Sequence, residues 1–278
     1  MTGYANTEAL VETRWLTAHL DDPAIRVVEA DNDGGKNYAA GHIPGAVRWL
    51  WRQDFQRPDR HDVPDKAAWE ALLSRSGVTP ETTVILYGHE NWYPGFACWL
   101  LTIYGHRRMR VLDGGRKKWL AEGRPTTTAV PAIAPTAYRA AEPDWSPRAR
   151  ADDVLAGLGD PGRVLVDVRS PEEYRGEHFA PGAPPQFGAR AGRIPGAVHI
   201  PWEENLNEDG TFKAAEELRA LYAAHGVAAD KEAIPYCTIG GRSGQTWFVL
   251  SRLLGHRARL YDGSWGEWGN RLGVPVER

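Results

Sequence analysis

The segment Gly41-His42-Ile43-Pro44-Gly45-Ala46-Val47 returns as Gly192-Arg193-Ile194-Pro195-Gly196-Ala197-Val198, and the landmarks around it return with it. Tyr87 is matched by Tyr236, Gly105-His106 by Gly255-His256, Asp113-Gly114 by Asp262-Gly263, and Trp119 by Trp268. The separations are 151, 149, 150, 149 and 149 residues, too steady over too many landmarks to arise by chance. The chain is two copies of one domain, and 278 residues give each copy enough length to bury its own core.

Within each copy, short apolar runs alternate with helical patterns. Arg26–Ala30, Val84–Tyr87, Val164–Asp167 and Ala233–Tyr236 read as buried parallel strands. Pro235 cannot donate a ladder hydrogen bond, so it is expected right at its strand's end. Ala214–Tyr222 reads as a helix, and so does Thr246–Leu254, with Trp247, Leu250, Ser251 and Leu254 on one face and Gly255 as the C-terminal stop. Strand–helix alternation implies α/β domains, each a parallel sheet flanked by helices. The stretch from Thr126 to Pro147 is rich in Pro, Ala and Thr, which places a linker over 129–147 between domains at 1–128 and 148–278.

Composition excludes several classes. No apolar run approaches the roughly 18 residues of a membrane span, and the N-terminus lacks a basic segment followed by an apolar stretch. Two cysteines without an export signal indicate a reducing, cytoplasmic setting. A net charge of −3 offers no general attraction for nucleic acid or an anionic membrane, so any anion must be captured by a local cationic pocket. Several of the twelve tryptophans fall inside helical patterns and are read as core.

Chemistry concentrates at Tyr236-Cys237-Thr238-Ile239-Gly240-Gly241-Arg242-Ser243-Gly244. A strand followed by a tight loop and a helix start presents a thiol to a bed of backbone N–H groups. Gly240, Gly241 and Gly244 let that loop turn sharply. The helix start near Ser243 and the Arg242 charge both favour thiolate over thiol. Cys237 is therefore read as an exposed nucleophile. Cys98, in Phe96-Ala97-Cys98-Trp99-Leu100-Leu101, is apolar on all sides and reads as a small buried hydrophobe. Active sites of such folds gather at the carboxyl ends of strands, which sets Arg169 across the crevice from Cys237. A surface salt bridge to Glu172 or Glu173 is the plainer reading of Arg169. The N-terminal copy has Gly88 where the other has Cys237 and no arginine at the Arg242 position, so it cannot do the same chemistry. Trp92, in its equivalent loop, is a candidate cleft wall or plain packing.

With Asp167-Val168-Arg169-Ser170-Pro171-Glu172-Glu173-Tyr174, the Cys237 loop, Tyr261-Asp262-Gly263-Ser264-Trp265-Gly266-Glu267-Trp268-Gly269 and the paired Gly-x-Ile-Pro-Gly-Ala segments, the chain resembles the tandem-domain rhodanese family of thiosulfate sulfurtransferases. The bacterial loop Cys-Arg-Ile-Gly-Glu-Arg-Ser is matched at Cys237, Ile239, Gly240, Arg242 and Ser243, and departed from at Thr238 and Gly241; Arg193 stands where His is usual. The resemblance implies two tandem rhodanese-like domains, the first without the cysteine. It implies that Cys237 takes the outer sulfur of thiosulfate as a persulfide and passes it to cyanide or a thiol, protein thiols included. Arg242 and Arg169 would then hold the sulfonate oxygens, with Thr238, Ile239, Gly240, Gly241 and Ser243 lining the sulfur ring. Such chemistry uses a small-molecule donor and acceptor and needs no metal or organic cofactor.

Three other activities compete. The mercaptopyruvate branch usually carries serine or threonine two residues after the cysteine, where this chain has Ile239. Cysteine phosphatases place five residues between Cys and Arg, and here four intervene, Thr238 to Gly241. A persulfide carrier, loaded by a partner protein, would use the same thiol without turning over thiosulfate.

Overall fold

Each short apolar run read from the sequence is a strand in the computed structural model, which describes residues 3–58, 62–89, 91–177 and 190–278. Two compact units emerge, an N-terminal one of Glu8–Trp145 with Glu208–Phe212, and a C-terminal one of the chain up to Thr7, Ser146–Asn207 and Lys213–Arg278.

The N-terminal unit holds β1 (Leu10–Val11), β2 (Ile25–Asp31), β3 (Val47–Leu50), β4 (Thr83–Tyr87) and β5 (Met109–Leu112). They form one parallel sheet in the order β1-β5-β4-β2-β3. The C-terminal unit holds β6 (Arg163–Asp167), β7 (Val198–His199) and β8 (Glu232–Tyr236), parallel in the order β7-β6-β8. Beyond β8 the same rows continue as single parallel bridges, Ala233 to Ala258 and Leu260 to Arg148.

Pro235 explains the reduction. It is the penultimate residue of β8 and occupies the place of Leu86, which pairs with Val111 in the other unit. The backbone of Ala233 exchanges hydrogen bonds with Arg257 and Arg259, and Tyr261 N–H donates to the Pro235 carbonyl, but Pro235 has no N–H to return. The ladder on that side thins to bridges.

The two cores are built from matching positions. Ile43, Ala46, Ile85, Tyr87 and Trp119 pack together in the N-terminal unit. Ile194, Ala197, Ile234, Tyr236 and Trp268 do so in the C-terminal unit. Tyr87 and Tyr236 also bind alike, each hydroxyl accepting from the backbone N–H of the equivalent isoleucine, Ile43 at 3.1 Å and Ile194 at 3.2 Å. Truncating Trp119 or Trp268, each at most 1% exposed, would cost on the order of 3–5 kcal/mol.

Two expectations are corrected. The helix after the Cys237 loop is α-helical only over Gly241–Trp247 and continues as a π-helix over Phe248–Leu253. The wider winding, seen in Leu254 N–H reaching Val249 O, buries Phe248, Val249, Leu250 and Leu253 rather than a single stripe, and leaves Ser251 half-buried. The Pro/Ala/Thr-rich stretch carries no helix but is not a free tether. Thr136 N–H donates to Ser74 O at 2.9 Å, Ala140 N–H to Glu70 Oε1 at 3.0 Å, and Asp144 N–H to Ile103 O at 2.9 Å. It straps the N-terminal unit as far as Trp145.

Candidate active site

In the C-terminal unit β6 ends at Asp167 and β8 at Tyr236, paired in register, so the loops that follow both strands open at the same sheet edge. Cys237 is the first residue past β8. Its Sγ accepts from Gly240 N–H at 3.1 Å and from Ser243 Oγ at 3.5 Å. Gly240 turns the loop with φ of 94°, a left-handed conformation that costs glycine little, and its carbonyl accepts from Gly244 N–H; the single Ser243 hydroxyl proton is shared between Sγ and this carbonyl, which lies 3.0 Å from Ser243 Oγ. Burial opposes ionisation of the Cys237 thiol, but the Arg242 charge and the hydrogen bonds of Ser243 and Ile239 outweigh it, so the thiol lies below its ordinary value.

The expectation of an exposed thiol is corrected. Cys237 is 1% exposed, because the loop closes over it and the helix Ser264–Trp268 packs against its backbone. Trp265 N–H donates to Cys237 O and Gly266 N–H to Thr238 O, at 3.0 and 2.8 Å. Ser264 Oγ accepts from Cys237 N–H at 3.1 Å.

The cations also stand differently from the sequence reading. Arg242 is clamped by Glu173, Nη1 to Oε2 at 2.7 Å and Nη2 to Oε1 at 2.9 Å, and its Nη2 also donates to Thr238 Oγ1 at 2.7 Å. Thr238 in turn donates to Glu173 Oε1 at 2.8 Å. Glu173 reaches this position from the short helix Pro171–Arg175, where it forms a capping box with Ser170. Burial would raise its carboxyl, yet the Arg242 guanidinium and the hydrogen bonds from Ser170 and Thr238 hold it down at about 2.

Arg169 is 2% exposed and bound to Asp167, Nε to Oδ1 at 2.9 Å and Nη2 to Oδ2 at 2.6 Å, with a third bond to Gly192 O. Its guanidinium lies 4.7 Å from the Trp265 ring centre, and Tyr236 hydroxyl completes the cluster by donating to Asp167 Oδ2 at 2.6 Å. Neither the free anion-binding arginine nor the surface pair with Glu172 or Glu173 describes it. The strand ends at Asp167 and the chain bends back at Arg169, whose own N–H donates to Asp167 Oδ1 at 3.0 Å, and a buried guanidinium takes the nearest buried carboxylate.

Of the remaining predicted residues, Ile239 is half-buried at the loop's rim, and Gly241 and Ser243 open the following helix, both buried. Trp92 stands half-buried at the start of the helix Trp92–Ile103 in the N-terminal unit. There it lines a cavity of about 270 Å³ with Asp31, Asp33, Asn37 and Asn91. In that unit Gly88 takes the place of Cys237, and a Cβ there would meet Ala30 O at 2.5 Å, so the position is closed to any side chain. Cys98 is 1% exposed within the same helix. Among the described residues no group of three or more His, Cys, Asp or Glu is arranged to hold a metal ion. No helix among them is long and apolar enough to cross a membrane.

The sequence reading missed Glu173 as the partner of Arg242, and Ser264. The [ST]-x-x-[DE] pattern of Ser170 to Glu173 announced a helix cap, but nothing local joins it to a residue 69 positions later.

A rhodanese-like domain matches the chain twice, over residues 12–122 and 150–271. The chain is 47% identical over 282 residues to "Sulfur carrier protein TtuD" of Thermus thermophilus, covering 99% of each. It is 46% identical over 273 residues to "Putative thiosulfate sulfurtransferase" of Saccharopolyspora erythraea, covering 97% of this chain and 96% of that one. Among solved structures it superposes on EanB in complex with ergothioneine with a TM-score of 0.88 at 26% identity, covering 100% of this chain and 71% of that one. The crystal structure of YnjE superposes with a TM-score of 0.86 at 26% identity, with the same coverage.

Proposed function

The chain belongs to the rhodanese-like domain family, and from that membership we propose that it is a sulfurtransferase carrying sulfane sulfur on Cys237, with thiosulfate as donor. The Cys237 thiolate attacks the outer sulfur of thiosulfate, a sulfur–sulfur bond forms, the bond to the sulfonate sulfur breaks, and sulfite leaves with that electron pair. A cyanide ion or an acceptor thiolate, small molecule or protein, then attacks the outer persulfide sulfur, and the Cys237 thiolate departs. The observation that carries the reading is the Gly240 N–H bond to Sγ, with the Ser243 hydroxyl and the Arg242 charge beside it, in a site that favours the thiolate. The same donors suit the terminal sulfur of a persulfide, as an oxyanion hole suits developing negative charge. Incubation with thiosulfate should add the mass of one sulfur to the intact protein and release sulfite, with Cys98→Ala loading normally and Cys237→Ser not at all. Wild-type protein that keeps its mass and releases no sulfite under these conditions would exclude thiosulfate as donor.

One observation favours a second reading, a carrier fed by another protein. Arg242 and Arg169 are each paired with a buried carboxylate, so less cationic charge is left to hold a sulfonate than a dianionic donor calls for. The relative named as a sulfur carrier points the same way. Loading of Cys237 by a persulfidated protein but not by thiosulfate would select it.

A further inference from the structure

Ser264 has φ of 54°, in the left-handed region where non-glycine residues fall only a few per cent of the time. It is fully buried, and its hydroxyl accepts from Cys237 N–H at 3.1 Å while donating to Tyr261 O at 2.9 Å. Together with Trp265 N–H on Cys237 O, this bond grips the residue bearing the thiol from both of its peptide groups.

The other unit shows what the same backbone does without a thiol. There Gly115 holds the place of Ser264, 149 positions earlier, with φ of 52°. The grip on the carbonyl persists, Arg116 N–H donating to Gly88 O at 2.9 Å, but the hydroxyl is gone along with the cysteine. The space has been exchanged as well. Asn91 stands where the C-terminal unit has Gly240, and a Cβ on Gly115 would come within 2.7 Å of both Asn91 Oδ1 and the Gly88 carbonyl oxygen. The pair is Asn91 with Gly115 in the copy without the thiol, and Gly240 with Ser264 in the copy that has it. Gly240 supplies the N–H that binds Sγ, at the position where the other copy carries the Asn91 side chain.

We propose that Ser264 is a positioning residue for Cys237, held in a backbone conformation proper to glycine because its hydroxyl fixes the peptide from which the thiol reaches Gly240 N–H. The proposal rests on Cys237 as the sulfur-bearing residue, but it concerns thiol acidity and not donor identity.

The test compares Ser264→Gly and Ser264→Ala in the full chain. Both remove the hydroxyl, and only the alanine keeps the left-handed strain. Rates of Cys237 alkylation by iodoacetamide are followed by peptide mass spectrometry from pH 5 to 9, with thermal melting alongside. Both variants should alkylate about five-fold more slowly at pH 7, with the profile displaced to higher pH, as one loosened hydrogen bond implies. The glycine variant should melt above the alanine variant. Since glycine already occupies this conformation at Gly115, Ser264→Gly is expected to fold. An alkylation profile unchanged in Ser264→Gly would overturn the proposal, whatever happens to its melting. A wild-type protein that takes no sulfur from thiosulfate would overturn the donor assignment and leave the alkylation result standing.

Discussion

Replacing Glu173 with glutamine removes the charge that faces Arg242 and changes little else in shape. Its side chain is 1% exposed and engages Arg242 through both oxygens, so the carboxylate is bound far more tightly in the folded protein than in the unfolded chain. Depression from the ordinary 4.5 to about 2 corresponds to about 3 kcal/mol of stability. Because the folded value is lowered, that stability is present in full above the unfolded value and is lost as pH falls through the folded one. Glu173→Gln should therefore lower the unfolding free energy by about 3 kcal/mol at pH 7, in the range expected when one partner of a buried ion pair is deleted. The gap between wild type and variant should narrow below about pH 4.5 and fall to less than half by about pH 3. Urea unfolding at pH 7, 5, 4 and 3, read at the transition of the C-terminal unit, measures this. A difference below ~1 kcal/mol at pH 7, or one that does not change down to pH 3, would refute the assignment of Glu173 as the ionised anchor of Arg242.

Arg242→Ala should raise the pH at which Cys237 alkylates, since the guanidinium favours the thiolate, and should cost stability as well, on the order of 3–5 kcal/mol, by stranding Glu173; alkylation and urea unfolding report the two effects separately. Asp113 is pushed up to about 6, burial outweighing the hydrogen bond from Phe212 N–H. A raised acid contributes stability below its unfolded value and loses it as pH climbs through the folded one, so Asp113→Asn should stabilise the N-terminal unit by about 3 kcal/mol at pH 7 and by little at pH 4, as paired melting curves would show. Gly88→Cys should not create a second reactive thiol and should destabilise the N-terminal unit by about 1–3 kcal/mol, because its Cβ would stand 2.5 Å from Ala30 O; the measurements are alkylation of residue 88 and a urea midpoint.

The duplication was legible because its landmarks are residues the fold cannot replace cheaply. Tyr87 and Tyr236 each tie a strand end to the Ile-Pro-Gly turn, and Trp119 and Trp268 each fill a core. The Cys237 loop was legible because glycine, thiol and arginine lie within six consecutive residues, 237 to 242. What sequence could not supply was partnership at a distance. Arg242 meets Glu173 across 69 positions, and that contact decides whether its charge is available to a ligand. Arg169 was misassigned for another reason: its partner Asp167 precedes it, at the end of the strand, whereas Glu172 and Glu173 follow it in the sequence. The depth of Cys237 followed from the fit of the 264–266 backbone against the loop, which no local pattern encodes. Ser264 itself was in plain view, but a serine with positive φ leaves no mark in composition.

The way the chain is shared between the two units bears on how the protein comes off the ribosome. Arg219 reaches back to Gly3 O, Tyr4 hydroxyl donates to Lys213 O at 2.7 Å, and Ala5 N–H donates to Leu253 O at 2.7 Å, so residues 3–5 wait for partners made more than two hundred positions later. Conversely, Phe212 N–H donates to Asp113 and Lys117 to Glu208 O, so the earlier-born unit lacks part of its final contacts until residues 208–212 have been added. Cutting the gene between its duplicated halves would hand each product a piece missing and a piece left over, and neither half should be expected to reproduce the native stability of its own unit.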